Sequence, residues 1–168
     1  MVKLEANLQF MFNEYELIDR YEQASKAGFK GVELQAPYSL EKDQILEKLE
    51  THNLKHVIIN LPVNDPDTDQ ANLALIPDKK DLFLERLDLG ISYASTLGCI
   101  GINTGVGVKP QGFDDEEIFE TLVENQKIAS EKLAEKNIKA LIEPINTVDQ
   151  PGFFINTSKQ GMDLIEQI

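Results

Sequence analysis

The sequence has little cysteine, few basic residues and no long apolar run, and each shortage excludes a class of protein. Its 168 residues include one cysteine, Cys99, which excludes an internal disulfide and suits a reducing compartment. Sixteen basic against 29 acidic residues give a net charge of −13, which offers no basic surface to nucleic acid or anionic membranes. No segment has the apolar length of a signal peptide or a membrane span. We therefore expect a cytoplasmic protein that binds neither nucleic acid nor membrane.

The pattern that is present alternates short apolar runs with helical periodicity, without a linker, so residues 1–168 are predicted to form one domain. The composition, 42% hydrophobic and 27% charged, is ordinary for a globular protein. The predicted strands are residues 3–8, 31–35, 55–60, 99–104 and 139–145. Each is followed by a helical pattern, and five such units in succession predict an α/β fold with a parallel sheet.

Capping residues predict where the five helices begin and end. The predicted starts are Asn13 with Glu16, Ser39, Asp78, Asp114 with Glu117, and Thr157 with Gln160. Gly28 and Gly98 are predicted to end the first and third helices, because glycine tolerates the left-handed conformation there.

Two parallel architectures fit these units: an open doubly wound sheet, or part of a closed barrel. A dinucleotide-binding sheet needs Gly-x-Gly-x-x-Gly after its first strand, where residues 7–12 contain no glycine. Gly105 and Gly107 follow the fourth strand, but Pro110 replaces the third glycine. A barrel is favoured because every predicted strand finishes in polar side chains, where barrel enzymes collect their working groups. These side chains are Asn7, Gln35, Asn60, Asn103 with Thr104, and Glu143.

Several motifs, in order, resemble hydroxypyruvate isomerases, a family of xylose-isomerase-like (AP-endonuclease-2-like) TIM barrels. They include Ala-Gly-Phe-Lys-Gly-Val-Glu at residues 27–33, Asn-Leu-Pro at 60–62, Glu-Pro-Ile-Asn at 143–146 and Pro-Gly-Phe at 151–153. The resemblance extends over essentially the whole chain. It implies a (β/α)₈ barrel of which about five units are present here, strands 1–5 and helices 1–5, with strands 6–8 absent.

The resemblance also implies an activity and a site. The family interconverts hydroxypyruvate and tartronate semialdehyde, an aldose–ketose-type isomerisation of a small hydroxy-keto acid through an enediolate. Two glutamates face the substrate, usually with a divalent metal, Mg²⁺ or Mn²⁺, between them. Glu143 matches the first, as both catalytic group and metal ligand, and the second comes from strands 6–8. Asn7, Asn60 and Asn146 are expected to bind substrate. Whether this chain alone retains the metal stays open.

The residues around Glu143 independently indicate a constrained carboxylate. It follows the apolar residues 140–142, where an unsatisfied carboxylate would be costly, and Pro144 restricts it to an extended conformation. A catalytic or metal-binding role and a structural carboxylate bonded to loop amides both remain open from these residues alone.

Other candidate residues receive lesser roles. Asp65, Asp67 and Asp69 have the spacing of the first ligands in a calcium-binding loop. Gln70 stands where that loop needs glycine and Ile76 where it needs glutamate, so a solvated acidic loop is expected. Residues 61–78 form a long connection that could cover the substrate. His52 and His56 are expected to be structural, and Glu33 to be a supporting or core-bridging carboxylate. The family commonly has histidine at position 59, so Ile59 predicts a missing substrate or metal contact.

A five-strand arc has consequences of its own. Its first and fifth strands each expose an unpaired edge, which predicts association with another copy or with a separately encoded remainder. Without the second glutamate, we expect the chain alone to show no measurable turnover. Two alternatives stay open: another isomerase or epimerase of a short sugar acid, and a non-catalytic half-barrel or assembly module.

Overall fold

The structure, a computed structural model, describes residues 3–168 and contains five parallel strand–helix units. The strands are β1 (Glu5–Asn7), β2 (Gly31–Glu33), β3 (Lys55–His56), β4 (Ile58–Asn60), β5 (Gly101–Asn103) and β6 (Lys139–Leu141). The helices are α1 (Arg20–Lys26), α2 (Lys42–Thr51), α3 (Lys80–Leu97), α4 (Asp115–Ala134) and α5 (Ser158–Ile165). The predicted alternation is confirmed, although β1, β2, β5 and β6 are shorter than their apolar runs.

The sheet is a single wall whose strands stand side by side in chain order. β1 pairs with β2 and β2 with β3, while β4 pairs with β5 and β5 with β6, always parallel. Val57 joins the two halves: its N–H donates to Val32 (2.8 Å) and its carbonyl accepts from Ile100 (2.9 Å). β3 and β4 are therefore two parts of one strand. A doubly wound sheet reverses its strand order at a switch point, so this order excludes that alternative and matches a barrel wall.

The hydrophobic core lies between the sheet and the helices, of which α1 to α4 pack against each other in chain order. Alternate strand residues face this core, because successive side chains of a strand point to opposite faces. Ala6, Val32, Ile59 and Ile102 are fully buried there, and Phe83 and other helical side chains cover them. No helix among residues 3–168 has both the length and the apolar character needed to cross a membrane.

Two of the predicted helix starts are confirmed by their capping hydrogen bonds. The Asp114 carboxylate accepts from the amide of Glu117 (2.9 Å) at the start of α4. Thr157 and Gln160 form a reciprocal capping box at the start of α5. Gly28 (φ 93°) and Gly98 (φ 69°) have the left-handed conformation expected of residues that follow helices.

The three other predicted starts are wrong, because tight turns or other partners take the capping positions. Asn13 does not cap a helix; its side-chain oxygen accepts from the guanidinium of Arg20 (2.6 Å). Ser39 and Asp78 each lie in a single 3₁₀ turn opened by a proline, Pro37–Ser39 and Pro77–Lys79. Helix α2 begins at Lys42, three residues after Ser39, and helix α3 begins at Lys80, two residues after Asp78.

The expectation that His56 is structural agrees with its position in the core. Its side chain is 1% exposed, and its Nδ1 lies 3.6 Å from the thiol sulfur of Cys99. Burial disfavours the charged imidazolium and lowers the pKa of His56 from 6.5 to about 4. Burial likewise raises the pKa of Cys99 to about 12, so the thiol is packed, protonated and unsuited to nucleophilic chemistry.

This buried histidine predicts a pH dependence of stability. Between pH 6.5 and pH 4 the unfolded chain protonates residue 56 while the folded chain does not, so lowering the pH favours unfolding. The full shift corresponds to roughly 3 kcal/mol, and a His56→Gln variant should lack this part of the loss. Urea unfolding at intervals from pH 7 to pH 4 measures it. Parallel stability curves for the two proteins would contradict the prediction.

Candidate active site

The exposed, concave face of the sheet carries a row of polar side chains near the carboxyl ends of the strands. Each alternates with a buried neighbour, so Asn7, Glu33, Asn60 and Asn103 point away from the helices. Glu143 lies two residues beyond the end of β6, on the same face as Asn103. The ends of β1, β2, β4 and β5 and the loop after β6 therefore bring amides and carboxylates to one surface.

Glu143 is exposed on this surface and is held by one neighbour. The side-chain nitrogen of Asn103 donates to its Oε2 at 2.9 Å, and its Oε1 has no hydrogen-bond partner within residues 3–168. Pro144 follows directly and packs against Gly161 of α5, where any side chain would come within about 3.1 Å of the proline ring. The helix thus fixes the backbone that presents the carboxylate.

A second amide–carboxylate pair joins β1 and β2. The side-chain nitrogen of Asn7 donates to Glu33 at 3.2 Å. Partial burial raises the pKa of the Glu33 carboxyl; the negative charges of Glu5 and Glu143 also raise it, while a hydrogen bond from Gln35 opposes them. The effect of Glu143 is the smallest of these four and has the same sign as that of Glu5.

The two remaining predicted substrate residues differ in how much hydrogen-bonding capacity they have left. The backbone carbonyl of Asn60 accepts from the hydroxyl of Tyr38 (2.6 Å), but its side chain makes no hydrogen bond within residues 3–168. The side chain of Asn146 is engaged in its own turn, donating to Asp149 (2.8 Å) and accepting from the amides of Val148 and Asp149. The structure brings Asn7 and Asn60 to the concave face and keeps Asn146 within its loop.

Position 59 does not face the site, and the expected loss of a contact there is wrong. Ile59 is fully buried in the core between sheet and helices, whereas Asn60 points to the concave face. An apolar side chain at position 59 therefore adds to the core and removes nothing from the site.

The acidic loop that was expected to be solvated is in part buried. Asp65 is 3% exposed and accepts from the Thr68 hydroxyl and the Asp67 amide, both at 3.1 Å, and from the ammonium of Lys79. Asp67 pairs with the same ammonium at 2.6 Å. These carboxylates fold the connection onto the start of α3, and they hold no cluster of three metal ligands. That the loop covers a substrate stays a prediction.

The connections after β4 and β5 are interlocked beside the strand ends. Gly107 has φ +103°, and a side chain there would place its Cβ 1.9 Å from the carbonyl oxygen of Ala71. The buried 3₁₀ turn Leu73–Leu75 packs on α4, where Asn125 donates to the carbonyl of Ala74 (3.0 Å). The two connections form one packed unit at the rim of the site.

Sequence reasoning missed two contacts, those of Asn103 with Glu143 and of Asn7 with Glu33. The period-two alternation of polar and buried residues could have placed all four side chains on one face. It could not show that each amide donates to the carboxylate of the neighbouring strand, because the partners are 40 and 26 residues apart.

Residues 3–168 do not supply a complete set of metal ligands. Among residues 3–168, no three histidine, cysteine, aspartate or glutamate side chains are grouped closely enough to bind one. Glu143 and Glu33 both lie on the concave face, but two carboxylates would leave most of the coordination sphere of Mg²⁺ or Mn²⁺ to water, substrate or other ligands. The described residues therefore do not fit a metal centre on their own.

Parallel strands in chain order, with polar groups at their carboxyl ends, define the (β/α)₈-barrel class. Residues 21–168 match the family model described as a xylose isomerase-like TIM barrel. The chain belongs to this family, which confirms both the fold class and the wider resemblance found in the sequence.

Named relatives narrow the comparison. The chain is 38% identical to hydroxypyruvate isomerase of Escherichia coli K12 over 168 residues, which are all of this chain and 65% of that protein. It is 32% identical to 2-oxo-tetronate isomerase of Haemophilus influenzae, again over all of this chain and 65% of that protein. The chain thus spans just under two thirds of the length of these relatives.

Solved structures show the same fold. An AP endonuclease of family 2 from Brucella melitensis is 35% identical with a TM-score of 0.94, over 99% of this chain and 64% of that one. The IOLI protein, crystallised with a zinc atom, is 18% identical with a TM-score of 0.75, over 98% of this chain and 58% of that one. The second likeness concerns the fold alone.

The interlocked loops predict a large difference between two glycine substitutions. Gly107→Ala should destabilise the protein by about 3 kcal/mol or more, because it adds an overlap with Ala71 to an unfavourable backbone conformation. Gly112→Ala is the matched control: Gly112 has φ +91° and no atom within 4 Å, so conformational strain alone should cost about 1–2 kcal/mol. Urea unfolding measures both. Equal losses would show that the loops are not interlocked.

Proposed function

We propose that this chain supplies the substrate face and one catalytic carboxylate of an isomerase that interconverts hydroxypyruvate and tartronate semialdehyde. The observation that carries the proposal is Glu143, an exposed carboxylate fixed by Asn103 at the carboxyl end of a barrel strand. Its support is the 38% identity to an enzyme named for this reaction. The remaining catalytic groups are proposed to come from outside residues 3–168.

The reaction needs groups of this kind. A base removes a proton from C3 of hydroxypyruvate to give an enediolate, and a proton is then returned to C2. The hydroxyl proton moves from the oxygen on C3 to the oxygen on C2, so no oxidant or reductant is required. Glu143 is proposed as the base that takes the carbon-bound proton, since its Oε1 is free of partners among the described residues. A second acid must return the proton.

Of the three asparagines proposed to bind substrate, Asn60 has the best support. Its side-chain amide is unengaged on the concave face, where it could donate to the carboxylate of a keto acid and accept from a hydroxyl. The NH₂ of Asn7 has two N–H groups and gives one to Glu33, so one N–H remains for a substrate. Its oxygen is already engaged, since it accepts from the amide of Gln9 (2.9 Å). Asn146 has the least support, since its turn uses both ends of its amide.

Glu143 is also proposed as one ligand of a divalent metal, Mg²⁺ or Mn²⁺, in the complete assembly. The zinc atom crystallised with the IOLI protein shows that this fold can bind a metal ion. Because residues 3–168 group no three potential ligands, the other ligands would have to come from elsewhere, and no catalytic step is assigned to the metal.

Association is proposed to complete the site. In residues 3–168, β1 and β6 each pair with a neighbour on one side only, which leaves two rows of backbone donors and acceptors. A second copy or a segment that supplies the remaining barrel strands could cover them.

A second substrate deserves a test because of the H. influenzae relative. 2-oxo-tetronate has one more hydroxylated carbon than hydroxypyruvate, and the same proton transfer would isomerise it. The relative named for it is 32% identical to this chain, against 38% for the hydroxypyruvate isomerase, so hydroxypyruvate is the first candidate.

The test is an isomerisation assay on both keto acids, with and without Mg²⁺ or Mn²⁺. The chain is assayed alone and mixed with the separately produced part of the E. coli enzyme that it does not cover. We expect turnover in the mixture and none by the chain alone. Metal-dependent turnover by the chain alone would overturn the expectation that its site is incomplete. No turnover in any arm would favour the non-catalytic half-barrel.

In the arm that turns over, Glu143→Gln should lower kcat at least about 100-fold, because an amide cannot accept the carbon-bound proton. Glu135→Gln removes the same charge at the exposed C-terminal end of α4 and is the matched control, with an unchanged rate expected. A Glu143→Gln protein of normal stability that keeps more than about a tenth of the rate would exclude Glu143 as the base.

A further inference from the structure

We propose that Asn103 is a positioning residue: it holds Glu143 by one oxygen so that the other oxygen faces the substrate. The proposal rests on the proposed function for its catalytic meaning, and on the hydrogen bonds around Asn103 for its geometry. It concerns a residue whose own contact with substrate is not required.

The orientation of the Asn103 amide is determined by its two partners. Its Oδ1 accepts from the amide of Gly105 at 3.2 Å, and its Nδ2 donates to Glu143 Oε2 at 2.9 Å. The flipped amide would place NH₂ against an N–H donor and oxygen against a carboxylate, losing both bonds. The donor therefore points to Glu143 whenever the backbone at Gly105 keeps its place.

The backbone at Gly105 is itself fixed from two sides. Its φ is +74°, and Val63 lies 2.9 Å from the position that a Cβ would take. Gln126 of α4 donates to the carbonyl of Gly105 (3.1 Å) and pairs with the hydroxyl of Thr104 (2.6 Å). Thr104 and Gln126 are both fully buried, so a helix in the core holds the loop that orients Asn103.

The same arrangement occurs at the other strand pair, which indicates a recurring device. Asn7 accepts from the amide two residues ahead, that of Gln9, and donates to Glu33 on the next strand. In each pair an asparagine at a strand end is locked by its own following turn and presents its NH₂ to a carboxylate across the ladder. A donor locked in this way restricts the carboxylate rotamer at little entropic cost.

Asn103→Asp keeps an acceptor for the amide of Gly105, removes the donor to Glu143 and places a second carboxylate beside it. The first readout is the side-chain rotamer of Glu143, measured by NMR scalar couplings in the purified chain. We expect a single rotamer in the wild type and averaging among rotamers in Asn103→Asp. Asn7→Asp breaks the equivalent contact between β1 and β2 and should leave the Glu143 rotamer unchanged.

The second readout is turnover in the completed assembly. Asn103→Asp should lower kcat by about 10- to 100-fold with KM changed less than about threefold, because a positioning group acts on the reacting geometry. Asn137→Asp adds the same charge in the exposed turn after α4 and is the control, with normal turnover expected.

The two readouts separate the failure of this proposal from that of the proposed function. If the wild type shows no turnover, the proposed function fails, and the rotamer measurement alone decides whether Asn103 positions Glu143. A Glu143 side chain as ordered in Asn103→Asp as in the wild type would overturn positioning. An equal fall in kcat for Asn103→Asp and Asn137→Asp would overturn it as well.

Discussion

The pleat of the five parallel strands decides which side chains are available for chemistry. Helices cover one face of the sheet, so every second residue must be apolar; Val32, Ile59 and Ile102 fill that requirement and are fully buried. Their neighbours are released from packing and can be polar at little cost, as Glu33, Asn60 and Asn103 are. The alternation of side chains along each strand therefore produces both the buried core on the helix side and the polar site on the open side of the sheet.

The elements and the family could be predicted from the sequence, because they depend on local periodicity and on short motifs. The capping pairs at Asp114 and Thr157 were predicted correctly, since a cap involves residues three apart. Asn13 was not, because Arg20 competes for its oxygen, and such competition is decided by tertiary structure. Position 59 was misjudged for a related reason. A motif comparison matches residue types, whereas the pleat of the strand determines which face of the sheet each residue occupies.

The electrostatic features of the site were beyond sequence reasoning because they arise between strands. The spacing of Asp65, Asp67 and Asp69 indicated exposure, yet Lys79 is folded back on Asp65 and Asp67, and Asp65 is buried. The locked asparagines are invisible in the same way. Each depends on a turn of two residues, which is local, and on a carboxylate from the next strand–helix unit, which is not.

The close approach at Gly107 has a consequence for changing what such a barrel acts on. At Gly107 the connections after β4 and β5 approach each other through backbone atoms, so residue 107 has no side chain that could be trimmed to make room. Neither can be lengthened or exchanged for that of a homologue without a compensating change in the other. Transplanting a substrate preference into this protein would require moving both connections together, as one cassette.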